Sequence, residues 1–308
     1  MKIITLTLNP AFDVHCECDN FKPYHESIAK ITSKEAGGKG VNISRALTEN
    51  GVENQAIVIV GTENGDEFCK ALQNDGLSVF SVWAKGRIRE NITLHEQVNP
   101  ETRISFEGFC CDGSILTEIE EKIANADNQT VITFTGSIPK GIRIEDVLSL
   151  LNKARDKGTK IVIDSRSVSF EQLIDFKPWL IKPNKDEAQS YTGLKINSVN
   201  DAVVIAKNLN DKGVENVIIS LGRDGAVLAN ESGEYIATTP DLLVLSTIGA
   251  GDSMLAGFID GIAKGLNIES VLKRAVAFGT AACLQEGTKP PKKQDVIDVE
   301  KQVTVRKI

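Results

Sequence analysis

Short apolar runs rich in β-branched residues alternate along the chain with longer stretches in which apolar residues recur with a helical period. The short runs predict strands over residues 2–9, 55–61, 77–82, 130–136, 160–164, 179–183 and 216–220. The longer stretches predict helices over residues 40–50, 65–75, 115–125, 144–157, 199–212, 252–264 and 268–285. This alternation predicts an α/β fold in which helices cover both faces of a mainly parallel central sheet. Ligands of such sheets bind at the carboxyl ends of the strands.

Two stretches interrupt this alternation. Residues 12–35 and 87–109 alternate polar and apolar side chains between turn residues, which is typical of antiparallel ribbons. We therefore expect one domain over residues 1–308, in which residues 1–11, 36–86 and 110–308 form the core and the two ribbons form a small antiparallel β lid. Such a lid has exposed edges and one apolar face, so we expect it to pair with a second copy of the chain and form a homodimer.

Composition and charge narrow the classes of function. The 308 residues are 41% hydrophobic and 25% charged, with a formal net charge of −7, as in ordinary globular proteins. We expect no broad contact with nucleic acid or an anionic membrane, because phosphate groups require a basic face. No segment reaches the length of a membrane span, and the six cysteines lack the paired C-x-x-C spacing of a metal site. We therefore expect a cytoplasmic protein with free thiols.

The segment TIGAGDSMLAGF, residues 247–258, places three residues with little or no side chain before one acid, Asp252. A helix N-terminus carries unpaired N–H groups and a partial positive charge, so it attracts anions. Gly249, Ala250 and Gly251 would let those N–H groups approach a phosphoryl group. Asp252 would then accept the proton of a substrate hydroxyl placed between the acid and that group. The alternative is an aspartate that caps the helix.

A second glycine run, AGGKGVNISRAL at residues 36–47, opens a predicted helix with a backbone that can lie close to a polyol. Asn42 offers both a donor and an acceptor to sugar hydroxyls, while a flexible turn is the alternative for the run as a whole. Asp13, which follows the first strand, can accept two hydroxyl hydrogen bonds or serve a simple turn. The chain has no Walker A loop, and no G-x-G-x-x-G motif follows its first strand.

Two further segments are consistent with a nucleotide site. Asn184 and Glu187 stand three residues apart at a predicted helix start, where the acid could order Mg²⁺ through water or the two could form a capping pair. The segment ISLGRDGAVL, residues 219–228, predicts two strands around a turn between Gly222 and Gly225. That turn either cradles a nucleotide phosphate or joins a plain hairpin, and taken alone it favours the hairpin.

Together these segments resemble the signatures of the PfkB (ribokinase-like) carbohydrate kinases. The two signatures stand here as AGGKGVNISRA at 36–46 and STIGAGDSMLAGF at 246–258, and the resemblance covers nearly the whole chain. Finer features are similar to the branch that phosphorylates sugar phosphates: TLTLNPAFD near the start, the lysine of GGKG, the arginine and asparagine of RIRENITL, TGSIPKG at 135–141 and KPN at 182–184. The resemblance implies the ribokinase-like fold, a three-layer α/β/α arrangement with a small β lid.

The resemblance also implies a role for each matching residue. Asp252 would be the catalytic base, with the backbone at Gly249, Ala250 and Gly251 as an anion hole. Substrate would be bound by Asp13, Gly37, Gly38, Lys39, Asn42, Arg89 and Asn91, of which Lys39 and Arg89 would hold the phosphate that the sugar already carries. ATP would be bound by Lys182, Asn184, Ser220, Gly222, Gly225, Phe278 and Gly279, with Glu187 serving Mg²⁺.

The implied reaction moves the γ-phosphoryl group of ATP to the primary hydroxyl of a ketohexose monophosphate. Fructose 1-phosphate is the first expectation and tagatose 6-phosphate the second; a plain sugar kinase and a non-catalytic sugar-phosphate sensor are alternative hypotheses. Two segments depart from the family pattern, RIRENITL with Glu90 beside Arg89, and TRISFEGF at 102–109. Strand alternation predicts that Glu90 and Arg89 point to opposite faces, which preserves a phosphate site at Arg89.

Overall fold

The computed structural model describes residues 1–19, 21–96 and 102–308. Along these residues the strands are β1 (Lys2–Thr7), β2 (Ala11–Glu17), β3 (Lys30–Gly37), β4 (Gln55–Gly61), β5 (Val79–Ala84), β6 (Arg89–His95), β7 (Thr102–Ser105), β8 (Thr130–Thr135), β9 (Lys160–Asp164), β10 (Leu180–Ile181), β11 (Asn216–Ser220), β12 (Ala226–Asn230), β13 (Gly233–Thr238) and β14 (Thr304–Lys307). The helices are α1 (Lys39–Glu49), α2 (Gly65–Asn74), α3 (Leu116–Ile123), α4 (Ile144–Arg155), α5 (Phe170–Phe176), α6 (Lys185–Thr192), α7 (Val199–Asp211), α8 (Ala250–Ala263), α9 (Ile268–Ala282) and α10 (Lys293–Gln302).

A ten-stranded sheet forms the centre of the protein, with the order β14-β13-β12-β11-β10-β9-β8-β1-β4-β5. Neighbouring strands from β11 to β5 pair in parallel, and β12, β13 and β14 extend the sheet in antiparallel fashion. The strands at the centre are almost completely buried, because helices cover the sheet on both sides.

The helices pack into two apolar cores, one on each face of the sheet. One core joins the sheet to α2 through α7, and the other joins it to α1, α8, α9 and α10. Successive residues of β1 point into different cores, since Ile3 lies in the second and Ile4 in the first. The three-layer α/β/α architecture predicted from the sequence is therefore confirmed.

Strands β2, β3, β6 and β7 form a separate sheet in the order β3-β2-β6-β7. The pairs β2–β3 and β6–β7 are antiparallel ribbons, as predicted. Parallel pairing of β2 with β6 joins the ribbons into one sheet, and its register places Asp13 opposite Asn91. Residues 97–101 of the second predicted ribbon and Asn20 of the first lie outside the described residues.

Three expectations concern the chain as a whole. All six cysteines are free thiols, as predicted. Within residues 1–19, 21–96 and 102–308, no helix combines the length and the apolar character that crossing a membrane requires. The division into a core and a lid with the stated boundaries stays a prediction.

The carboxyl edge of the large sheet gathers the segments that the sequence singled out. Strand β9 ends at Asp164 and strand β11 ends at Ser220, while α1 begins at Lys39 and α8 begins at Ala250. All four of these residues line the same cavity. This is the edge at which parallel sheets bind their ligands, as expected.

Candidate active site

A cavity of about 1270 Å³ lies between the carboxyl edge of the large sheet and the four-stranded sheet. Most of the predicted site residues line it: Asp13, Gly38, Lys39, Asn42, Arg89, Asn91, Lys182, Asn184, Glu187, Ser220, Gly222, Gly249, Ala250, Gly251, Asp252 and Gly279. Gly37, Gly225 and Phe278 do not line it. The cavity therefore brings the two glycine segments together with side chains from the ribbons.

Asp252 lies in the first turn of α8, but it does not cap that helix. Gly249 occupies the N-cap position in the left-handed region with φ 79°, and no side chain bonds the helix end there. The Asp252 carboxylate instead accepts a hydrogen bond from Asn42 Nδ2 at 2.9 Å, across the cavity from α1. The capping alternative for this acid is therefore wrong, and its carboxylate is free to act on a ligand in the cavity.

The surroundings of Asp252 make its carboxylate more basic. Its residue is only 6% exposed. Burial raises its pKa from the ordinary value of 3.8 to about 6, although Lys39, Asn42 and Lys182 act in the opposite direction. A carboxylate with this pKa is ionised at neutral pH and accepts a proton more readily than an exposed aspartate.

Lys39, at the start of α1, lines the cavity. Its Nζ lies 3.2 Å from Asp164 Oδ2 at the end of β9. Burial works to lower the pKa of Lys39, but the carboxylates of Asp164 and Asp252 outweigh it and hold that pKa above its ordinary value. The Lys39 ammonium is therefore a fixed positive charge between two of the acids of the cavity.

Lys182 follows β10 and brings a second cation to the tip of α8. The residue is 5% exposed, and a Cβ atom added to Gly251 would lie 2.9 Å from its Nζ. No carboxylate of the described residues lies within 4.0 Å of Nζ, so this ammonium and the unpaired N–H groups of the helix tip present positive charge together. A side chain at position 251 would therefore require the Lys182 ammonium to move.

The ribbons supply the other end of the cavity. Asp13 Oδ1 accepts hydrogen bonds from Asn91 Nδ2 at 3.2 Å and from Arg103 Nη2 at 2.8 Å. Arg89 Nη1 donates to the Phe106 carbonyl at 3.0 Å. These contacts place two guanidinium groups beside one carboxylate at this end.

Arg89 is incompletely satisfied by its protein partners. Its Nε is buried without a hydrogen-bond acceptor among the described residues. Burial lowers the pKa of its guanidinium, Asp13 acts to raise it, and Arg103 lowers it again. An anion bound here would supply the missing acceptor and relieve the repulsion between the two arginines.

Glu90 points away from this anion site. Its carboxylate lies 3.3 Å from Lys34 Nζ and 3.5 Å from Arg87 Nη2, whereas Arg89 donates to Asn9 and Phe106. The alternation of side chains along β6 is confirmed.

Gly37 is the first predicted ligand-binding residue that the structure corrects. It ends β3 behind Asp13, and a Cβ atom added there would lie 2.6 Å from Asp13 Oδ2. Gly37 thus leaves room for the Asp13 carboxylate and does not face the cavity. Gly38, the next residue, does line the cavity, with φ 134° and no space for a side chain beside Thr7.

Gly225 and Phe278 also lie outside the cavity. Gly225, with φ 93°, ends the turn between β11 and β12, and a Cβ atom there would overlap the Ala237 carbonyl at 2.0 Å. The plain-hairpin alternative explains this glycine. The Phe278 ring is completely buried in the core of α8, α9 and α10, because its position on α9 faces inward. Its predicted contact with a nucleotide is wrong, whereas the neighbouring Gly279 lines the cavity.

Asn184 and Glu187 form the capping pair that the sequence left as one alternative. Asn184 Oδ1 accepts from the Glu187 backbone N–H at 2.9 Å, and Glu187 Oε2 accepts from the Asn184 backbone N–H at 3.0 Å. Glu187 Oε1 lies 3.4 Å from Arg166 Nε. The pair therefore fixes the start of α6 while the acid still lines the cavity.

Several lining residues were not predicted, among them Asp164, Arg103, Arg166 and Arg223. Asp164 could have been found, since it is an acid at the carboxyl end of a predicted strand. Arg103 could not, because its contact with Asp13 depends on the parallel pairing of β2 with β6.

Comparison with known proteins identifies the class to which this fold and cavity belong. Residues 9–295 match the model of the pfkB family carbohydrate kinases. The chain belongs to this family and is a phosphotransferase. The resemblance seen in the two glycine segments is therefore confirmed.

Individual relatives agree with this assignment. A protein of Escherichia coli (strain K12) named 1-phosphofructokinase is 30% identical over 285 residues, which cover 92% of this chain and 91% of that protein. A Bacillus subtilis (strain 168) protein of the same name is 30% identical over 284 residues, with 92% and 93% covered. The crystal structure of phosphofructokinase-2 from Escherichia coli in complex with substrates and products has a TM-score of 0.91 at 26% identity, covering 98% of this chain and 99% of that one.

Proposed function

We propose that this protein transfers the γ-phosphoryl group of ATP to the primary hydroxyl of a ketohexose monophosphate, with fructose 1-phosphate as the acceptor. The observation that carries the proposal is the buried Asp252 carboxylate, which faces the cavity beside the N–H groups of the α8 tip. Relatives about 30% identical over most of the chain are named 1-phosphofructokinase, which supports the choice of acceptor.

The paired arginines support a substrate that already carries a phosphate. Arg103 already pairs with Asp13, whereas Arg89 donates to neutral oxygen atoms. A phosphate can accept from both guanidinium groups. Asp13 lines the cavity beside Arg103, where it can accept hydrogen bonds from sugar hydroxyls. Asn42 and the Gly38 backbone complete the proposed sugar site.

Asp252 acts as the general base in this proposal. The acceptor hydroxyl gives its proton to the Asp252 carboxylate as its oxygen attacks the γ-phosphorus, and the bond from that phosphorus to the bridging oxygen of ADP breaks. Asn42 holds the carboxylate toward the hydroxyl through the hydrogen bond to Oδ2. Gly249, Ala250 and Gly251 present the helix-tip N–H groups to the charge that develops on the transferred group.

Lys39 and Lys182 serve the transferred phosphoryl group in this proposal. Lys39 contacts Asp164 and is attracted to Asp252 and Glu187, which places its charge among the acids near the α8 tip. Lys182 approaches the α8 tip at Gly251. Both ammonium groups would offset the negative charge of the γ-phosphoryl group between ADP and acceptor.

ATP occupies the part of the cavity lined by Ser220, Gly222 and Gly279 in this proposal. Arg223 and residues 239–242 line the same part, which gives the adenosine moiety both polar and apolar contacts. The γ-phosphate would then extend toward the α8 tip.

Mg²⁺ would be held here chiefly by the ATP phosphates and by water. No group of three or more His, Cys, Asp or Glu side chains within the described residues is arranged to hold a metal, and Glu187 already accepts a backbone hydrogen bond. Glu187 and Asp164 both line the cavity and are suited to receive hydrogen bonds from metal-bound water. When bound, the ion would neutralise phosphate charge during transfer.

An assay of ADP release tests the function directly. Purified protein is offered ATP with fructose 1-phosphate, tagatose 6-phosphate, fructose 6-phosphate or free fructose as acceptor. We expect the highest kcat/KM with fructose 1-phosphate and the lowest with fructose. Equal rates with fructose and its phosphates would contradict the arginine site, and binding of sugar phosphate without ADP release would identify a sensor.

The protein forms a homodimer through the four-stranded sheet in this proposal, and it acts in the cytoplasm. Both edge strands of that sheet and the loop after β7 expose apolar side chains: Ile31 is 64% exposed, Ile104 40% and Phe106 49%. Light scattering should give twice the mass of one chain, and Ile31→Glu with Ile104→Glu should give a monomer. The control Leu194→Glu alters a side chain after α6 that is 50% exposed, and it should leave the dimer intact. A parent protein with the mass of one chain would refute the proposal.

A further inference from the structure

A second cavity, of about 210 Å³, lies at the edge of the large sheet opposite to the active-site cavity. It is formed where α4 and α5 end and where β9, β10 and β11 begin. The side chains that define it are Arg155, Thr159, Lys160, Lys177, Trp179 and Glu215. The proposed kinase reaction uses none of these residues.

Positive charge exceeds negative charge around this cavity. Arg155, Lys160 and Lys177 are cationic, and Glu215 is the one acid that lines it. Lys177 has no carboxylate within 4.0 Å of its Nζ among residues 1–19, 21–96 and 102–308, and Lys160 donates to the Asn128 carbonyl at 3.4 Å. Burial raises the pKa of Glu215, with Lys160 acting in the opposite direction. A small anion would therefore be attracted here.

The backbone holds one of these cations over the cavity. Lys177 is one of two non-glycine residues with positive φ in the described chain, at 54°, and it forms the left-handed C-cap of α5. Its aliphatic stem crosses Gly213, where an added Cβ atom would lie 3.0 Å from Lys177 Cδ. Gly213 thus leaves the space that the lysine stem requires.

A buried hydroxyl adds an unused polar group at the same place. Thr159 is 3% exposed, and its Oγ1 has no hydrogen-bond partner among the described residues. Buried hydroxyls are ordinarily hydrogen-bonded, so an unpaired one beside a cavity indicates a missing partner. Trp179, 8% exposed, also lines the cavity, and its ring packs edge-on against Phe258 at a centroid distance of 5.7 Å.

We propose that this cavity binds a phosphate group, either as the free ion or as a small phosphate monoester. Lys160 and Lys177 would supply the charge, and Thr159 would donate a hydrogen bond to a phosphate oxygen. The Arg155 guanidinium already donates to the Phe176 carbonyl and lies 3.9 Å from Asp156 Oδ1. Glu215 would accept a hydrogen bond from a protonated oxygen of the ligand. The volume of the cavity accommodates a phosphate and a few further atoms but not a nucleotide.

Three strands connect this site to the active site. Lys160 begins β9 and Asp164 ends it, Trp179 and Lys182 flank β10, and Glu215 precedes β11 while Ser220 ends it. The first residue of each pair lines the small cavity and the second lines the active-site cavity. A bound phosphate would therefore contact the strands that position Asp164, Lys182 and Ser220.

The test uses Trp179 to locate binding. The chain contains two tryptophans, so Trp83→Phe leaves Trp179 as the single tryptophan, which is excited selectively over tyrosine. This protein is titrated with inorganic phosphate at constant ionic strength, and equilibrium dialysis with labelled phosphate measures occupancy in parallel. We expect saturable binding that weakens at least about tenfold in Lys160→Gln/Lys177→Gln, since each lysine contributes a charge-assisted hydrogen bond. If glycerol 3-phosphate displaces the labelled phosphate, the cavity binds phosphate monoesters. If it does not, the ligand is the free phosphate ion.

Two controls keep the result specific to this cavity. Arg89→Gln removes a cation of the active-site cavity and should leave the Trp179 titration unchanged. Lys177→Gln alone alters an exposed side chain and should weaken binding in the same direction as the double variant. Labelled phosphate binding that is equal in the parent, the single variant and the double variant would overturn the proposal, as would loss of the Trp179 titration in Arg89→Gln.

Discussion

Replacing Asp252 with asparagine is expected to stabilise the folded protein at neutral pH. The residue is 6% exposed, and burial raises the pKa of its carboxyl from 3.8 to about 6. Each pKa unit corresponds to about 1.4 kcal/mol, so ionised Asp252 reduces the free energy of unfolding by about 3 kcal/mol relative to a neutral group of the same size. The asparagine side chain retains an oxygen that can accept the hydrogen bond from Asn42.

The gain should depend on pH in a defined direction. Because the folded-state pKa is raised, Asp252 contributes its full stability below about pH 4, and this is lost as the pH rises through about 6. The free energy of unfolding of Asp252→Asn minus that of the parent should therefore increase by about 2–3 kcal/mol between pH 4 and pH 8. Urea denaturation followed by circular dichroism measures both proteins at each pH.

A control separates this effect from the general response of the protein to pH. Asp156→Asn changes an aspartate whose side chain is 72% exposed. The free energy of unfolding of this variant minus that of the parent should stay nearly constant between pH 4 and pH 8. If the difference for Asp252→Asn is also constant, the carboxylate is not buried as an ion, and the physical basis for its proposed basicity is refuted.

Three further substitutions test the cavity. Arg103→Gln should raise the KM for fructose 1-phosphate by about tenfold or more and leave the KM for ATP unchanged. The control Arg166→Gln should leave the KM for fructose 1-phosphate unchanged. Equal effects of Arg103→Gln on the KM of both substrates would argue against an acceptor site at Arg103. Gly251→Ala should lower kcat by about tenfold or more, because the new Cβ atom would lie 2.9 Å from Lys182 Nζ and displace that ammonium. An unchanged kcat would show that the position of Lys182 does not matter for the reaction. Phe278→Ala should lower the free energy of unfolding by about 3–5 kcal/mol without raising the KM for ATP, as a core residue should; a raised KM in a stable variant would restore its nucleotide role.

Buried parallel strands were the elements that the sequence predicted best. The bounds of β4, β9 and β11 agree with the predicted 55–61, 160–164 and 216–220. Such strands are apolar on both faces, so the whole strand is visible as one run. By contrast, α5 was missed, because its seven residues make less than two turns and offer too few positions for a helical period to be recognised.

Within the site, the residues carried by the two glycine segments were predictable because local sequence fixes the helix tips on which they lie. Their partners were not, since a contact such as Arg103 with Asp13 arises only when three strands align side by side. Proximity in sequence was also misleading. Phe278 and Gly279 are neighbours, but successive positions on α9 point in different directions, so one lies in the core and the other lines the cavity.

The turnover number of Asp252→Asn with ATP and fructose 1-phosphate tests the central claim most directly. The variant should fold, bind ATP as the parent does and lose activity by a factor of about 10² to 10⁴, as expected when a general base is removed. Turnover close to that of the parent would show that another group takes the proton, and the role assigned to the acid at the tip of α8 would be wrong.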